Sequence, residues 1–136
     1  MTQLLLLFNH RLTPTQESDA RRRLGITGFI EPPADIQTLW GQVPSELETL
    51  ANYLQPVRNW LAAHAKPRDY ILIQGDFGAC FLVAQMAFKL DLIAVYATTR
   101  REAVEEHLPD GSVRLTHQFR HVIFRKYERL FSTPCQ

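Results

Sequence analysis

Tyr70-Ile71-Leu72-Ile73-Gln74-Gly75-Asp76-Phe77-Gly78 is the stretch that decides the fold. Tyr70 to Gln74 is a short, largely apolar run, the mark of a strand buried on both faces. Gly75 to Gly78 reads as a tight turn, and Ala79 to Leu90 as an apolar, buried helix. A strand followed at once by a helix is half of a crossover unit, and strands joined by such units pair in parallel.

The same strand-then-helix pattern lies on either side. Gln3 to Phe8 is nearly all apolar and is followed by Asn9-His10-Arg11-Leu12. Thr13, Pro14 and Gln16 then form a capping box with proline at the first helical position, predicting a helix over 14–23 with Gly25 as its stop. Leu92 to Ala97 is a third buried strand. Thr99 and Glu102 make a further capping box, which predicts a short helix ending near Leu108, before a turn at Pro109-Asp110-Gly111. Between the first two units, 28–33 holds an irregular extended piece with two prolines, and 36–41 a short helix. Ser45-Glu46-Leu47-Glu48 is a capping box predicting a long helix to Ala65, with Leu47, Leu50, Leu54, Val57 and Leu61 as its buried stripe. Pro56 should kink or split it. Tyr53 and Trp60 form a second aromatic line, facing either the core or a dimer partner. Residues 112–130 are rich in Val, Ile, Phe and Tyr and predict one or two strands, antiparallel to the rest. The expectation is one α/β domain over 1–136: a mostly parallel sheet flanked by helices, with a C-terminal β-rich tail.

Composition bounds the function. The 136 residues are 46% hydrophobic, enough for a packed core, and the net charge is only +1. A basic coat for polymeric nucleic acid is disfavoured, so any anion site must be local. No apolar run reaches the roughly 18 residues of a membrane span. The two cysteines, Cys80 and Cys135, show neither metal-ligand spacing nor a disulfide framework, so a reducing cytoplasm is the expected location.

In parallel sheets, ligands gather beyond the carboxyl ends of the strands. There lie three loops, Leu7-Phe8-Asn9-His10, Gln74-Gly75-Asp76-Phe77-Gly78 and Tyr96-Ala97-Thr98-Thr99-Arg100-Arg101. Each is expected to deliver a helix N-terminus, whose free N–H groups attract anions. Gly75 and Gly78 permit close approach of backbone to a ligand, or simply permit the turn. Arg100 and Arg101 can grip phosphate, and Thr98 stands at the strand end. Asp76 can cap the next helix, hold an arginine, accept a ribose hydroxyl or take a metal. Phe77 is a core residue or a stacking platform for a base. The five histidines, His10, His64, His107, His117 and His121, form no zinc-binding helix pattern. His10, directly after a buried strand, is the best-placed general acid or base. The tail mixes Thr116, His117, Phe119, Arg120, His121 and Arg125, a blend that suits a nucleotide and equally an exposed strand.

Five segments together carry a family likeness: LLLLFNHRLTPTQESDA, the tryptophan of LWGQVP, QGDFGA, YATTRREAVEE and FRHVIFRKY. They resemble small CRISPR-associated, Csx-type accessory proteins of type III systems, over about residues 3–128. The QGDFG loop followed by YATTR is the most specific part. The resemblance implies a Rossmann-like fold and a ring nuclease that degrades cyclic oligoadenylate, most of all the tetra-adenylate. It implies a homodimer with the two-fold ligand across its interface. It implies no cofactor and no metal: a ribose 2′-hydroxyl attacks its own 3′-phosphodiester. In that scheme Arg100, Arg101 and the backbone of 75–78 hold phosphates, with Arg11, Arg120 and Arg125 as further ligand contacts. Thr98 and Thr99 bond phosphate or ribose, Asn9 and Gln74 orient ribose or base, and Phe77 contacts the ligand. His10 or His121 handles the proton, and Asp76 polarises the 2′-hydroxyl. The rival expectations are a binder that sequesters the same ligand, a nucleic-acid-binding accessory protein, and a metal-dependent nuclease using Asp76 with a histidine.

Overall fold

The computed structural model describes residues 1–131; Cys135 lies outside the described residues. The chain runs β1 (Thr2–Leu7), α1 (Pro14–Leu24), β2 (Ile26–Ile30), α2 (Ala34–Gly41), α3 (Gln55–His64), β3 (Tyr70–Ile73), α4 (Phe77–Lys89), β4 (Ile93–His107) and β5 (Val113–Lys126). It is a mixed α/β fold. The five strands form one sheet in the order β2-β1-β3-β4-β5. β1 pairs in parallel with β2 and β3, β3 in parallel with β4, and β5 closes the edge antiparallel to β4.

Alternation along β1 divides the core. Leu5 and Leu7 pack with Trp40, Val57, Leu61 and Val83 beneath α2, α3 and α4. Leu4 and Leu6 pack with Ala20 of α1, Val95 and Phe124 on the opposite face. A strand covered on both faces has no room for polar alternation, which is why Leu4 to Leu7 of β1 are continuous leucine. The start of the sheet is pinned by Asp69, a buried carboxylate that accepts from Gln3 N at 3.1 Å and Lys66 N at 2.9 Å. Two backbone donors offset its desolvation.

The expected capping box of α1 is present: Thr13 Oγ1 accepts from Gln16 N, Gln16 Oε1 accepts from Thr13 N, and Gly25 ends the helix at φ 69°. Among the described residues no helix is long and apolar enough to cross a membrane.

Two helices differ from expectation. The long helix from Ser45 is only Gln55–His64, with turns before it, and Ser45 Oγ bonds to Glu46 rather than capping. Pro56 lacks an N–H and its ring clashes with the carbonyl four residues back, so it is accommodated in the first turn of a helix instead of inside one. Leu54, Val57 and Leu61 are accordingly buried, whereas Leu47 is 45% exposed. Trp60 is buried, and Tyr53 packs against the core while donating to Leu39 O at 2.6 Å, so both aromatics serve the interior.

The second correction is larger. No helix follows Thr99; β4 runs on to His107, and Thr99–His107 pairs with Val113–His121. The Thr99/Glu102 capping signal is local and small. The ladder with the β-branched and aromatic tail satisfies the backbone along the whole segment and overrides it. The turn at Pro109-Asp110-Gly111 is where it was expected, but it joins two strands, with Asp110 Oδ1 accepting from Ser112 N at 2.9 Å.

Candidate functional site

The chain leaves β1 toward β2 on one side and reaches β3 on the other, so the switch point lies between β1 and β3. A ligand crevice is expected there. Trp40 fills it. Its Nε1 donates to Gln74 O at 2.8 Å, and a Cβ placed on Gly75 would lie 2.9 Å from that nitrogen. Glycine at 75 is therefore required by the indole, not by a ligand. Gly41 likewise sits where a Cβ would meet Asn9 Oδ1 at 3.2 Å.

Two hollows open near these strand ends. The first, about 790 Å³, lies among α4, the ends of β3 and β5, and the first part of β4. Its walls carry aromatic rings that a core would hide: Phe77 is 95% exposed and Phe81 65%. Across from them stand Tyr96 and Arg125. The Arg125 guanidinium lies 5.6 Å from the Tyr96 ring centroid and donates to its hydroxyl at 3.1 Å. Tyr96 meets Tyr127 edge-on at 5.0 Å, and Tyr127 donates to Ile73 O at 2.8 Å. Gln74 Oε1 accepts from Ala97 N at 2.7 Å, which ties the β3 end to the β4 wall.

Burial raises the Tyr127 phenol well above its ordinary value, and the neighbouring Cys80 adds to the shift. Burial likewise pushes the Cys80 thiol up, partly offset by a hydrogen bond to Tyr127, with the Asp76 charge raising it further. Both groups therefore keep their protons at neutral pH and serve as hydrogen-bonding walls, not bases.

Asp76 is the N-cap of α4, its Oδ2 accepting from Ala79 N at 3.0 Å. If capping is its role, Asp76→Asn keeps the acceptor and stays within about 0.5 kcal/mol of wild type, whereas Asp76→Ala loses about 0.5–2 kcal/mol. Denaturant midpoints check this; equal losses for both variants would assign the negative charge a separate part.

The remaining expected residues divide. Gln74, Gly75, Phe77 and Arg125 line the first hollow, and Gly78 follows Phe77 in the first turn of α4. Asn9, His10 and Arg11 line the second, about 750 Å³, with Glu31, Gln37 and Thr38. Thr98 is engaged with backbone, its Oγ1 donating to Ile123 O and accepting from Ile123 N, both at 3.2 Å. Thr99, Arg100 and Arg101 are exposed on the outgoing hairpin, and Arg120 there pairs with Glu102 at 2.8 Å. His121 is on the α1 side. Its Nε2 is 2.7 Å from Asp19 Oδ2, its side chain is 4% exposed, and its Nδ1 is buried with no hydrogen-bond partner. Asp19 is held in turn by Arg23 at 2.9 Å. The structure thus brings only two of the three expected loops to helix N-termini, and these two open into different hollows.

Phe81, Tyr96 and Tyr127 were missed from sequence. A signal existed for Phe81, which lies one helical turn from Phe77 on the same face of α4, and for Tyr96, which alternates away from buried Val95.

Residues 2–125 match the family described as the uncharacterized protein MJ1673 family. The chain belongs to that family. It is 42% identical over 127 residues to uncharacterized protein MJ1673 of Methanocaldococcus jannaschii, covering 93% of this chain and 98% of that relative. No solved structure matches. The matched span includes every strand but the last residue of β5, and so takes in Trp40, the hairpin, the second hollow and the lining of the first except Lys126, Tyr127 and Glu128.

Proposed function

We propose that this member of the MJ1673 family is a Rossmann-like ring nuclease that takes up cyclic oligoadenylate, the tetra-adenylate first, in the cleft beside α4. One observation carries the reading: exposed Phe77 and Phe81 face Tyr96 and Arg125 across a cleft that also receives the N-terminus of α4. Aromatic faces stack adenines, a guanidinium meets phosphate, and helix N–H groups add donors. The family likeness of the sequence supplies the identity of the ligand. In this reading the protein works in the cytoplasm as a homodimer, as the family likeness of the sequence implies.

Cleavage proceeds by positioning. The ribose 2′-hydroxyl attacks the adjacent phosphorus and loses its proton. The bond from phosphorus to the 5′-oxygen breaks in line, and that oxygen gains a proton. A 2′,3′-cyclic phosphate and a 5′-hydroxyl result. Orientation and charge neutralisation account for large accelerations without a side-chain base. A second reading, a binder that sequesters the ring, is favoured by one feature: neither His10 nor His121 lines the cleft, and its Cys80 and Tyr127 hold their protons.

Incubation with labelled cyclic tri-, tetra- and hexa-adenylate in EDTA tests both. Linear products ending in 2′,3′-cyclic phosphate are expected, from the tetra-adenylate first. Tight binding without product over hours would leave the binder, and no binding would remove both.

A further inference from the structure

Beyond Thr98 the β4–β5 hairpin leaves the body of the sheet as a two-stranded ribbon. A hairpin with neither a third strand nor a helix on it is marginal in water. Side-chain alternation gives the ribbon two faces. On the face continuing the α4 side, charges pair within the chain: Arg114 with Glu106 at 2.7 Å and Arg120 with Glu102 at 2.8 Å. The other face continues the side covered by α1, through His121 and Phe124. It carries Arg101, Ala103 and Glu105 on β4, directly opposite Phe119, His117 and Leu115 on β5. Phe119 is 70% exposed and Leu115 59%. Arg101 and Glu105 have no ion pair among the described residues. Four residues of extended strand hold their backbones about 13 Å apart.

We infer that this face is an interface between two copies of the chain, packed ribbon on ribbon about a two-fold axis that crosses the Ala103–His117 pair. The face is self-complementary about that axis. The rotation reverses strand direction and turns the face over, so Arg101 meets the second copy's Glu105 and Phe119 meets its Leu115, each contact made twice. Facing sheets stack about 10 Å apart, a gap these side chains fill. The second ribbon occupies the layer that α1 occupies over the rest of the sheet. The alternative two-fold, along the ribbon, would set Arg101 on Phe119 and Glu105 on Leu115, leaving both charges without a counter-ion. Charge complementarity therefore selects the crossing axis. The inference rests on the proposed function only for its homodimer and needs no ligand.

Sedimentation equilibrium on the full chain tests it. The wild type should be a dimer. Arg101→Glu and Glu105→Arg each set like charges against one another twice, and each alone should weaken pairing on the order of 100-fold. Mixed in equal amounts, the two variants should form a 1:1 dimer, because every glutamate then faces an arginine. Leu115→Glu should be monomeric, and circular dichroism should show all three folded, since the positions are exposed. Both charge variants remaining dimeric alone would overturn this interface and leave the homodimer standing. A wild type that is monomeric at tens of micromolar would overturn both, and the EDTA cleavage assay on the same sample reports separately on activity.

Discussion

Alanine in place of Trp40 is expected to cost about 3–5 kcal/mol of stability, the largest loss from any single truncation at the strand ends. The indole is 2% exposed and packs in the core with Leu5, Leu7, Ile71 and Ile73. Its removal empties the space above Gly75 and leaves Gln74 O without its 2.8 Å donor. A cavity and an unpaired carbonyl add to the lost transfer energy. Trp40→Phe keeps most of the packing and loses the hydrogen bond, so it should cost about 1–3 kcal/mol. Guanidinium unfolding of the three proteins checks the order. A Trp40→Ala variant within 1 kcal/mol of wild type would mean that the crevice collapses freely and is no rigid stopper.

Phe77→Ala is expected to do the opposite: leave stability alone and weaken ligand. With 95% of its surface exposed, the ring contributes little to folding, and the change should stay within about 0.5 kcal/mol. Stacking of one base on an aromatic ring is worth about 1–3 kcal/mol, so affinity for cyclic tetra-adenylate should fall roughly 5- to 150-fold. Isothermal titration against cyclic tetra-adenylate, with the denaturant midpoint measured beside it, separates the two quantities. An unchanged dissociation constant would remove the α4 cleft as the base site. It would move attention to the hollow of Asn9, His10 and Arg11.

The sheet was legible where burial dictates composition. β1, β3 and the first half of β4 read as strands because residues covered on both faces must be apolar, and α1 announced itself through Thr13, Pro14 and Gln16. What was not legible depended on partners far away in the chain. The Thr99/Glu102 capping signal is sound locally and loses only because Val113–His121 lies alongside. Trp40 fills the crevice only in combination with Gly75 and Gln74, 34 residues on in the case of the bonded carbonyl. The site suffered in the same way. The loops after β1 and β3 both lie at strand tips, as read, but Asn9 and Gly75 line separate hollows. The aromatic wall comes from α4, β4 and the residue after β5 together, and no local spacing joins them.

The arrangement of the strands also sets an order of events during synthesis. β1 emerges before the other four strands of the sheet, yet it occupies an interior place in it. Its neighbour β2 follows soon, but its other edge waits for β3, and the Gln3–Asp69 bond closes a separation of 66 residues. Until then Leu5 and Leu7 lack β3 and α4, part of their cover in the finished fold. Contacts this distant are slow to form, because loop closure precedes any gain from pairing. The nascent chain therefore carries this leucine run with one strand edge unpaired until β3 follows, and the arrival of β3 and α4 is the step that ends its exposure to misassociation.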